Sequence, residues 1–124
     1  MTADNYLEAA AQFGSALEHA ATSGDWAGVY SHLTPDVVWV TPKRTLNGID
    51  EVKHDLTWGA PPDDLDVEFQ VGPWLDLGEH QAAVDVHEIY RLHGASEAAY
   101  ERDRRLRVTI CDGKVARYEM EIVG

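Results

Sequence analysis

The chain has 124 residues, with 22 Asp and Glu against 10 Lys and Arg, which gives a net charge of −12 and a pI near 4.7. This acidity argues against nucleic acid or an anionic membrane as the partner, because both attract basic surfaces. A single cysteine, Cys111, excludes an internal disulfide and suits a reducing compartment. The start lacks a signal-peptide pattern, and no stretch reaches the roughly 18 apolar residues of a membrane span. We therefore expect a soluble, cytoplasmic protein with one domain over residues 1–124.

The first third of the chain predicts two helices. Apolar residues at spacings of three and four form one helical stripe, made of Tyr6, Ala10, Phe13, Leu17 and Ala20. Gly24 is predicted to end this helix, and Asp25 to cap a second one. The inner face of the second helix is predicted to carry Trp26, Val29, Tyr30 and Leu33.

A break at residues 34–36 is predicted to precede a short strand at 37–41, which Pro42 ends. After a loop, residues 48–58 are predicted to form a third helix with Val52 on its inner face. Residues 60–64 are predicted to form another loop. From residue 65 onward the pattern alternates with period two, which predicts strands near 65–77, 80–93, 98–111 and 114–123. Helices followed by an antiparallel meander indicate an α+β fold.

The alternation also predicts which side chains share a face of the sheet. In the last strand, Tyr118 and Met120 lie on the apolar face. For the apolar faces of the last two strands to coincide, Ile110 must lie opposite Ala116, so we expect a glycine bulge at Gly113.

Three charged residues fall on the apolar face, namely Glu88, Arg102 and Arg104. Glu88 lies among inward-facing residues of its strand, and Arg104 has the same parity on the next strand, so the two should lie close together. A charged pair on such a face is costly unless it is hydrogen-bonded or at a wet rim. Arg105 and Arg107 fall on the outer face, where they are expected to pair with acidic neighbours on adjacent strands.

The outer face also carries Asp85 and His87, two residues apart on one strand. An Asp–His dyad in the pocket would be possible if the assigned parity were inverted.

Five short segments carry a resemblance to a known family, namely Gly-Asp-Trp at 24–26, Leu-Thr-Pro-Asp-Val-Val-Trp-Val at 33–40, Leu-Asn-Gly-Ile-Asp-Glu-Val at 46–52, Val-Gly-Pro-Trp at 71–74 and Asp-Gly-Lys-Val at 112–115. In their order and spacing, the chain resembles the nuclear transport factor 2-like superfamily, in its SnoaL-like polyketide cyclase, ketosteroid isomerase and limonene epoxide hydrolase grouping. The resemblance implies a cone in which three N-terminal helices pack on a strongly curved, mainly antiparallel sheet around a pocket. It also implies a homodimer built through the outer face of the sheet.

The catalytic residues of these relatives do not carry over. Thr41 stands where ketosteroid isomerases have their general base, and Leu17 and Leu106 stand at oxyanion-hole positions. Met120 stands where epoxide hydrolases have a catalytic Asp. The resemblance therefore implies the fold but no particular reaction of the family.

The candidate catalytic residues are Glu88, as a general acid or base, and Arg104, which would stabilise developing negative charge. The alternative is an ion pair that only supports the sheet. The candidate ligand-binding residues are Phe13, Leu17, Tyr30, Trp39, Thr41, Trp58, Trp74, Val86, Tyr90, Leu106, Tyr118 and Met120. Core packing is the alternative role of the tryptophans and tyrosines among them. No metal-ligand motif or phosphate loop occurs, so we predict neither metal nor organic cofactor.

Together with Glu88, Arg104, Tyr118 and Thr41, the resemblance implies a cofactor-independent enzyme that acts by proton transfer on a small apolar cyclic molecule of polyketide, steroid or terpenoid type. The candidate reactions are isomerisation, cyclisation, dehydration and epoxide opening. A non-catalytic protein that binds such a molecule is the main alternative. A third is an interaction domain whose outer charged face forms a subunit interface.

Overall fold

The structure, a computed structural model, describes residues 6–58 and 65–123, and it describes only the backbone of residues 56–58. It contains helices α1 (Tyr6–Ser23), α2 (Ala27–Ser31) and α3 (Ile49–Trp58), and strands β1 (Leu33–Val40), β2 (Thr45–Asn47), β3 (Leu65–Val71), β4 (Leu75–Gly78), β5 (Gln81–Leu92), β6 (Tyr100–Cys111) and β7 (Lys114–Val123). This α+β architecture confirms the predicted fold class. Among the described helices, none is both long and apolar enough to cross a membrane.

The strands form one curved sheet in the order β2-β1-β7-β6-β5-β3, and β4 pairs with a further part of β5. Only the β1–β7 pairing is parallel, and the other pairings are antiparallel. The helices pack on the concave face, because α1 contacts β3, β5, β6 and β7.

Helix α1 follows the predicted stripe. Phe13, Leu17 and Ala20 are buried on its inner face. Gly24 has a φ of +77°, and its N–H donates to the Ala20 carbonyl at 2.8 Å, which ends the helix in the left-handed conformation that glycine favours. The predicted cap of α2 is wrong, because the N-cap residue is Trp26, which makes no side-chain cap hydrogen bond. Asp25 lies one residue earlier, and its Oδ1 accepts a hydrogen bond from Ala27 N at 3.0 Å, as in an Asx turn.

The predicted break at residues 34–36 is wrong, because β1 already begins at Leu33. Its pairing with β7 is interrupted between Leu33 and Val38, and this stretch contains Pro35. Proline lacks the N–H that a continuous hydrogen-bond ladder requires, so the β1–β7 pairing is irregular around Pro35.

Two further boundaries differ from the expected ones. Strand β2, a segment of three residues, was expected to be loop. The predicted strand 65–77 is divided into β3 and β4, because residues 72–74 belong to neither strand and Pro73 cannot donate to a ladder. The predicted loop at 60–64 lies outside the described residues.

The register of the last hairpin also differs from the expected one. Ile110 lies opposite Val115, and Asp112 and Gly113 form a two-residue turn, both with positive φ. The register shifts between Thr109 and Ile110, so the extra residue lies in β7 at Ala116 and not in the turn. This bulge still places Tyr118 on the apolar face, as predicted.

The convex face carries the expected ion pairs. Arg105 Nε lies 2.9 Å from Asp85 Oδ1, and Arg107 Nη2 lies 2.9 Å from Glu119 Oε1. Because Asp85 pairs with Arg105, the possible Asp85–His87 dyad does not form.

His87 instead lies between two carboxylates of β6. Its Nδ1 is 2.7 Å from Asp103 Oδ1, and its Nε2 is 2.6 Å from Glu101 Oε1. The hydrogen bond to Asp103, followed by that to Glu101, raises the pKa of His87 above its ordinary value. The imidazolium form, which donates one hydrogen bond from each ring nitrogen, is thus favoured in the folded state.

We predict that His87→Gln destabilises the protein more at about pH 5.5 than at about pH 9. Since the pKa is raised by folding, the contribution of His87 is fully present below its unfolded pKa. It is lost as the pH rises through the folded pKa. Urea unfolding of both proteins at the two pH values measures the difference. Asp103→Asn should remove part of the same pH dependence, and a destabilisation equal at both pH values would contradict the prediction.

Candidate functional site

A cavity of about 1180 Å³ lies between the end of α1, α2 and the concave face of the sheet. Its wall includes many of the predicted ligand-binding residues, namely Leu17, Tyr30, Trp39, Thr41, Tyr90, Tyr118 and Met120. Both predicted catalytic residues, Glu88 and Arg104, also line it. Strand alternation explains this convergence, because residues two apart on one strand share the concave face.

Glu88 is a buried carboxylate, with only 3% of its surface exposed. Its partner directly across the β5–β6 ladder is Arg102, whereas Arg104 lies opposite Val86. The diagonal contact is nevertheless the shorter one, since Arg104 Nε lies 2.6 Å from Glu88 Oε2 and Arg102 Nε lies 3.7 Å from Oε1. The predicted proximity of Glu88 and Arg104 is therefore confirmed.

The contact between Glu88 and Arg104 is an ion pair rather than an aligned hydrogen bond. Although the two atoms are 2.6 Å apart, the Arg104 Nε–H finds no hydrogen-bond acceptor within the described residues. Arg104 Nη1 donates to the sulfur of Met120 at 3.5 Å, and a thioether is a weak acceptor. The guanidinium therefore neutralises Glu88, while its buried Nε–H has no aligned acceptor in the described part of the chain.

Tyr90 is the hydrogen-bond donor to the carboxylate. Its hydroxyl donates to Glu88 Oε1 at 2.8 Å. The two residues are two positions apart on β5, so their side chains lie on the same face of the sheet. Burial, followed by the charge of Glu88, raises the pKa of the Tyr90 hydroxyl, so it stays protonated and can donate. Glu88 thus has a fixed orientation at the cavity wall.

Tyr118 provides a second hydroxyl in the cavity. Only 6% of the residue is exposed, and burial raises the pKa of its hydroxyl well above the usual range. The charge of Arg104 opposes this shift and that of Glu88 adds to it. The Tyr118 ring stacks on Trp39 with 3.7 Å between centroids, and both residues line the cavity.

Thr41 lies on the cavity wall, but its hydroxyl is engaged locally. Thr41 Oγ1 donates to the Arg44 carbonyl at 3.2 Å and accepts from Arg44 N at 3.3 Å. These bonds fix the turn between β1 and β2, so Thr41 offers a ligand its methyl group more readily than its hydroxyl.

Four of the candidate ligand-binding residues do not reach the cavity. Phe13, Val86 and Leu106 are buried in the core behind its wall, and the ring of Phe13 meets those of Trp39 and Tyr118 edge-on. Trp74 follows β3 and packs against α1 at Gly14.

These four residues were misassigned because strand alternation predicts which face of the sheet a side chain lies on, but not how far that side chain is from the cavity. Trp58 ends α3, and its side chain lies outside the described residues.

The apolar wall residues that the sequence interpretation missed include Val67 and Phe69 of β3. Phe69 lies directly opposite Glu88 in the β3–β5 ladder. The alternation of β3 contains this information, and assigning its faces as for the later strands would have identified both.

In the described part of the chain, no group of three or more His, Cys, Asp or Glu side chains could hold a metal ion. Near Glu88, the cavity lining combines a carboxylate, the guanidinium of Arg104 and the phenol groups of Tyr90 and Tyr118, which are groups that can exchange protons or bind a ligand oxygen.

No protein-family model and no curated protein sequence matches the chain. Solved structures do match. An NTF2-like protein from Anabaena variabilis is 16% identical with a TM-score of 0.84, covering 100% of this chain and 95% of its own. TerC, co-crystallised with polyporic acid, is 20% identical with a TM-score of 0.74, covering 97% and 92%.

An LEH-like epoxide hydrolase from M. tuberculosis is 12% identical with a TM-score of 0.70, covering 95% of this chain and 82% of its own. Structural matches at such low sequence identity show the fold alone. They confirm the fold that the resemblance in the sequence implies. The chain has the nuclear transport factor 2-like fold that ketosteroid isomerase-like proteins share.

Proposed function

We propose that the protein is a cofactor-independent enzyme that acts by proton transfer on a small, largely apolar cyclic molecule. The observation that carries the proposal is the carboxylate of Glu88, which is buried at the wall of a large cavity with aromatic neighbours. A carboxylate in such a place can take a proton from carbon or oxygen and return it elsewhere.

The neighbours of Glu88 suit the other roles in such a reaction. Arg104, 2.6 Å from the carboxylate, would stabilise negative charge that develops on the substrate. Tyr90 holds the carboxylate in place through its hydrogen bond. The hydroxyl of Tyr118, which lines the cavity, would position the substrate, while Trp39 and the apolar wall would hold its ring.

Stability alone gives little reason for this ion pair. Removing two charges from water costs about as much as their attraction returns, so a buried pair adds little net stability compared with apolar residues of similar size. The same sheet has many exposed ion pairs on its convex face, where they need no desolvation. A role in the cavity accounts for the unusual position of Glu88 better than a role in the fold.

The compared proteins support small-molecule chemistry as the class. One is named an epoxide hydrolase, and another was crystallised with polyporic acid. A fold hosts many functions, so these names set a class of activity and the residues of the cavity must specify the reaction.

The alternative is a protein that binds such a molecule without changing it. One observation favours it: each oxygen of Glu88 already has a partner, since Oε1 accepts from Tyr90 and Oε2 faces Arg104. A carboxylate held in this way needs to exchange a partner before it takes a proton.

We predict that Glu88→Gln lowers turnover by roughly 10²–10⁴-fold, because general acid–base groups contribute about that much. The assay uses isomerisation of 3-cyclohexen-1-one to its conjugated isomer and hydrolysis of cyclohexene oxide. Glu68→Gln is the matched control, since Glu68 is also an ion-paired carboxylate of the sheet but lies on its exposed side, 2.8 Å from Arg91.

Circular dichroism checks that both variants fold. Turnover of Glu88→Gln within about threefold of the wild type would exclude Glu88 from the chemistry. Recovery of every compound unchanged after long incubation with the wild type, together with measurable binding, would favour the binding protein.

We also propose that two copies of the chain associate through the convex face. Its alternating charges, among them Arg105 and Arg107, can pair across a two-fold axis. Reversing both charges with Arg105→Glu and Arg107→Glu should then convert dimers to monomers in sedimentation velocity. A wild-type monomer, or a dimer that the double variant leaves unchanged, would rule out this surface.

A further inference from the structure

The two carboxylate oxygens of Glu88 have different surroundings. Oε1 accepts the hydrogen bond from Tyr90 at 2.8 Å and lies 3.7 Å from Arg102 Nε, whereas Oε2 lies 2.6 Å from Arg104 Nε. The described residues that line the cavity include Arg104 but not Arg102. One oxygen therefore has a guanidinium within reach of a ligand, and the other has a guanidinium behind the cavity wall.

Aromatic contacts hold Arg102 beside Glu88. Arg102 Cζ lies 5.2 Å from the centroid of the Tyr100 ring, and that centroid lies 5.6 Å from the centroid of the Tyr90 ring. A guanidinium over the face of an aromatic ring is attracted by the electron density of the ring. Because Tyr90 also donates to Glu88, the contacts form a closed set, made of Glu88, Tyr90, Tyr100 and Arg102.

Neither guanidinium is fixed to Glu88 by an aligned hydrogen bond from Nε. The Nε atoms of Arg102 and Arg104 are both buried and have no acceptor in the described part of the chain. Arg102 lies directly opposite Glu88 in the β5–β6 ladder, where Cβ atoms are about 4.5–5.5 Å apart. The guanidinium of Arg102 can therefore approach Oε1 through side-chain torsions alone, without a change in the backbone.

Glu88 needs a counter-charge at every stage of a reaction. Only 3% of the residue is exposed, and a buried charge that loses its partner is strongly destabilising. A ligand oxygen that binds Arg104 draws this guanidinium away from Oε2. Arg102 is then the guanidinium that remains beside the carboxylate.

We propose that Arg102 is a positioning residue, which holds Glu88 through Oε1 when a ligand engages Arg104 and thereby leaves Oε2 free to react. Oε2 then forms an O–H bond with the proton of the substrate, and the electron pair of the broken C–H or O–H bond stays on the substrate. Return of the proton from Oε2 reverses this step, so no co-reactant is needed. The inference rests on the proposed function for the reaction of Glu88, and it adds the residue that permits the exchange of partners.

The test replaces the ligand by a substitution, because Arg104→Gln removes the same charge from Oε2. Urea unfolding at pH 7 measures the effect of Arg102→Gln in the wild type and in Arg104→Gln. If Arg102 takes over Glu88, Arg102→Gln should lower the folding equilibrium constant roughly tenfold more in the Arg104→Gln background than in the wild type. An excess of this size lies within the range of coupling between residues in contact.

Two controls identify the charge of Glu88 as the cause. The excess should disappear when Glu88→Gln is present in every protein of the set, because a neutral amide needs no counter-charge. If Arg102 only packed on Tyr100, its loss would have the same effect in every background. Arg107→Gln is the matched control, since Arg107 is an exposed arginine of the same strand that pairs with Glu119, and its effect should be additive with that of Arg104→Gln.

Equal effects of Arg102→Gln in the two backgrounds would overturn the inference, and so would an excess that persists with Glu88→Gln. If the variant with both arginines replaced does not fold, addition of Glu88→Gln decides. A triple variant that folds supports the inference, because the uncompensated carboxylate was then the cause, and a triple variant that does not fold overturns it.

Turnover provides a second measurement. In the isomerisation of 3-cyclohexen-1-one, Arg102→Gln should lower kcat at an unchanged KM, and Arg102→Lys should restore most of kcat because it keeps the charge. Additive effects in unfolding, together with loss of turnover in Glu88→Gln, would overturn the role of Arg102 and leave the proposed function intact. The tenfold excess without any turnover in the wild type would overturn the proposed function and leave Arg102 as the second partner of Glu88.

Discussion

The ion pair between Glu88 and Arg104 on the concave face is the interaction on which the interpretation of this structure depends. It requires both side chains to have inward parity on adjacent strands, and a shift of one residue in the β5–β6 register would move one of them to water. The apolar residues next to them prevent such a shift. Val84 and Leu106 lie opposite each other on the same face and are buried, so slippage would expose core.

The aromatic part of the site depends on a different constraint. Trp39 and Tyr118 lie opposite each other in the parallel β1–β7 pairing, which places their rings in contact. That position exists because the bulge at Ala116 restores the inward parity of Tyr118 after a tight two-residue turn. Irregular features of the sheet therefore serve the site: without the bulge, the Tyr118 hydroxyl would face the convex side.

The sequence predicted the features that depend on local alternation. The stripe of α1, its end at Gly24 and the inward parity of Glu88 and Arg104 all follow from periodicity within one element. Features that depend on pairing between elements were missed or misplaced, among them the position of the bulge and the opposition of Glu88 to Arg102. The distance of a side chain from the cavity was also unpredictable, because Phe13 lies on the predicted face of α1 but is buried in the core behind the cavity wall.

The two faces of the sheet use the same residue types with opposite consequences. On the convex face, pairs such as Arg105–Asp85 remain in water, where each charge keeps its hydration and the pairing adds little. On the concave face, the guanidinium of Arg104 has exchanged water for one shared carboxylate and a thioether. The ion pairs of the convex face therefore keep their hydration, whereas the pair at the cavity wall has lost most of it and relies on the partners that the protein itself supplies.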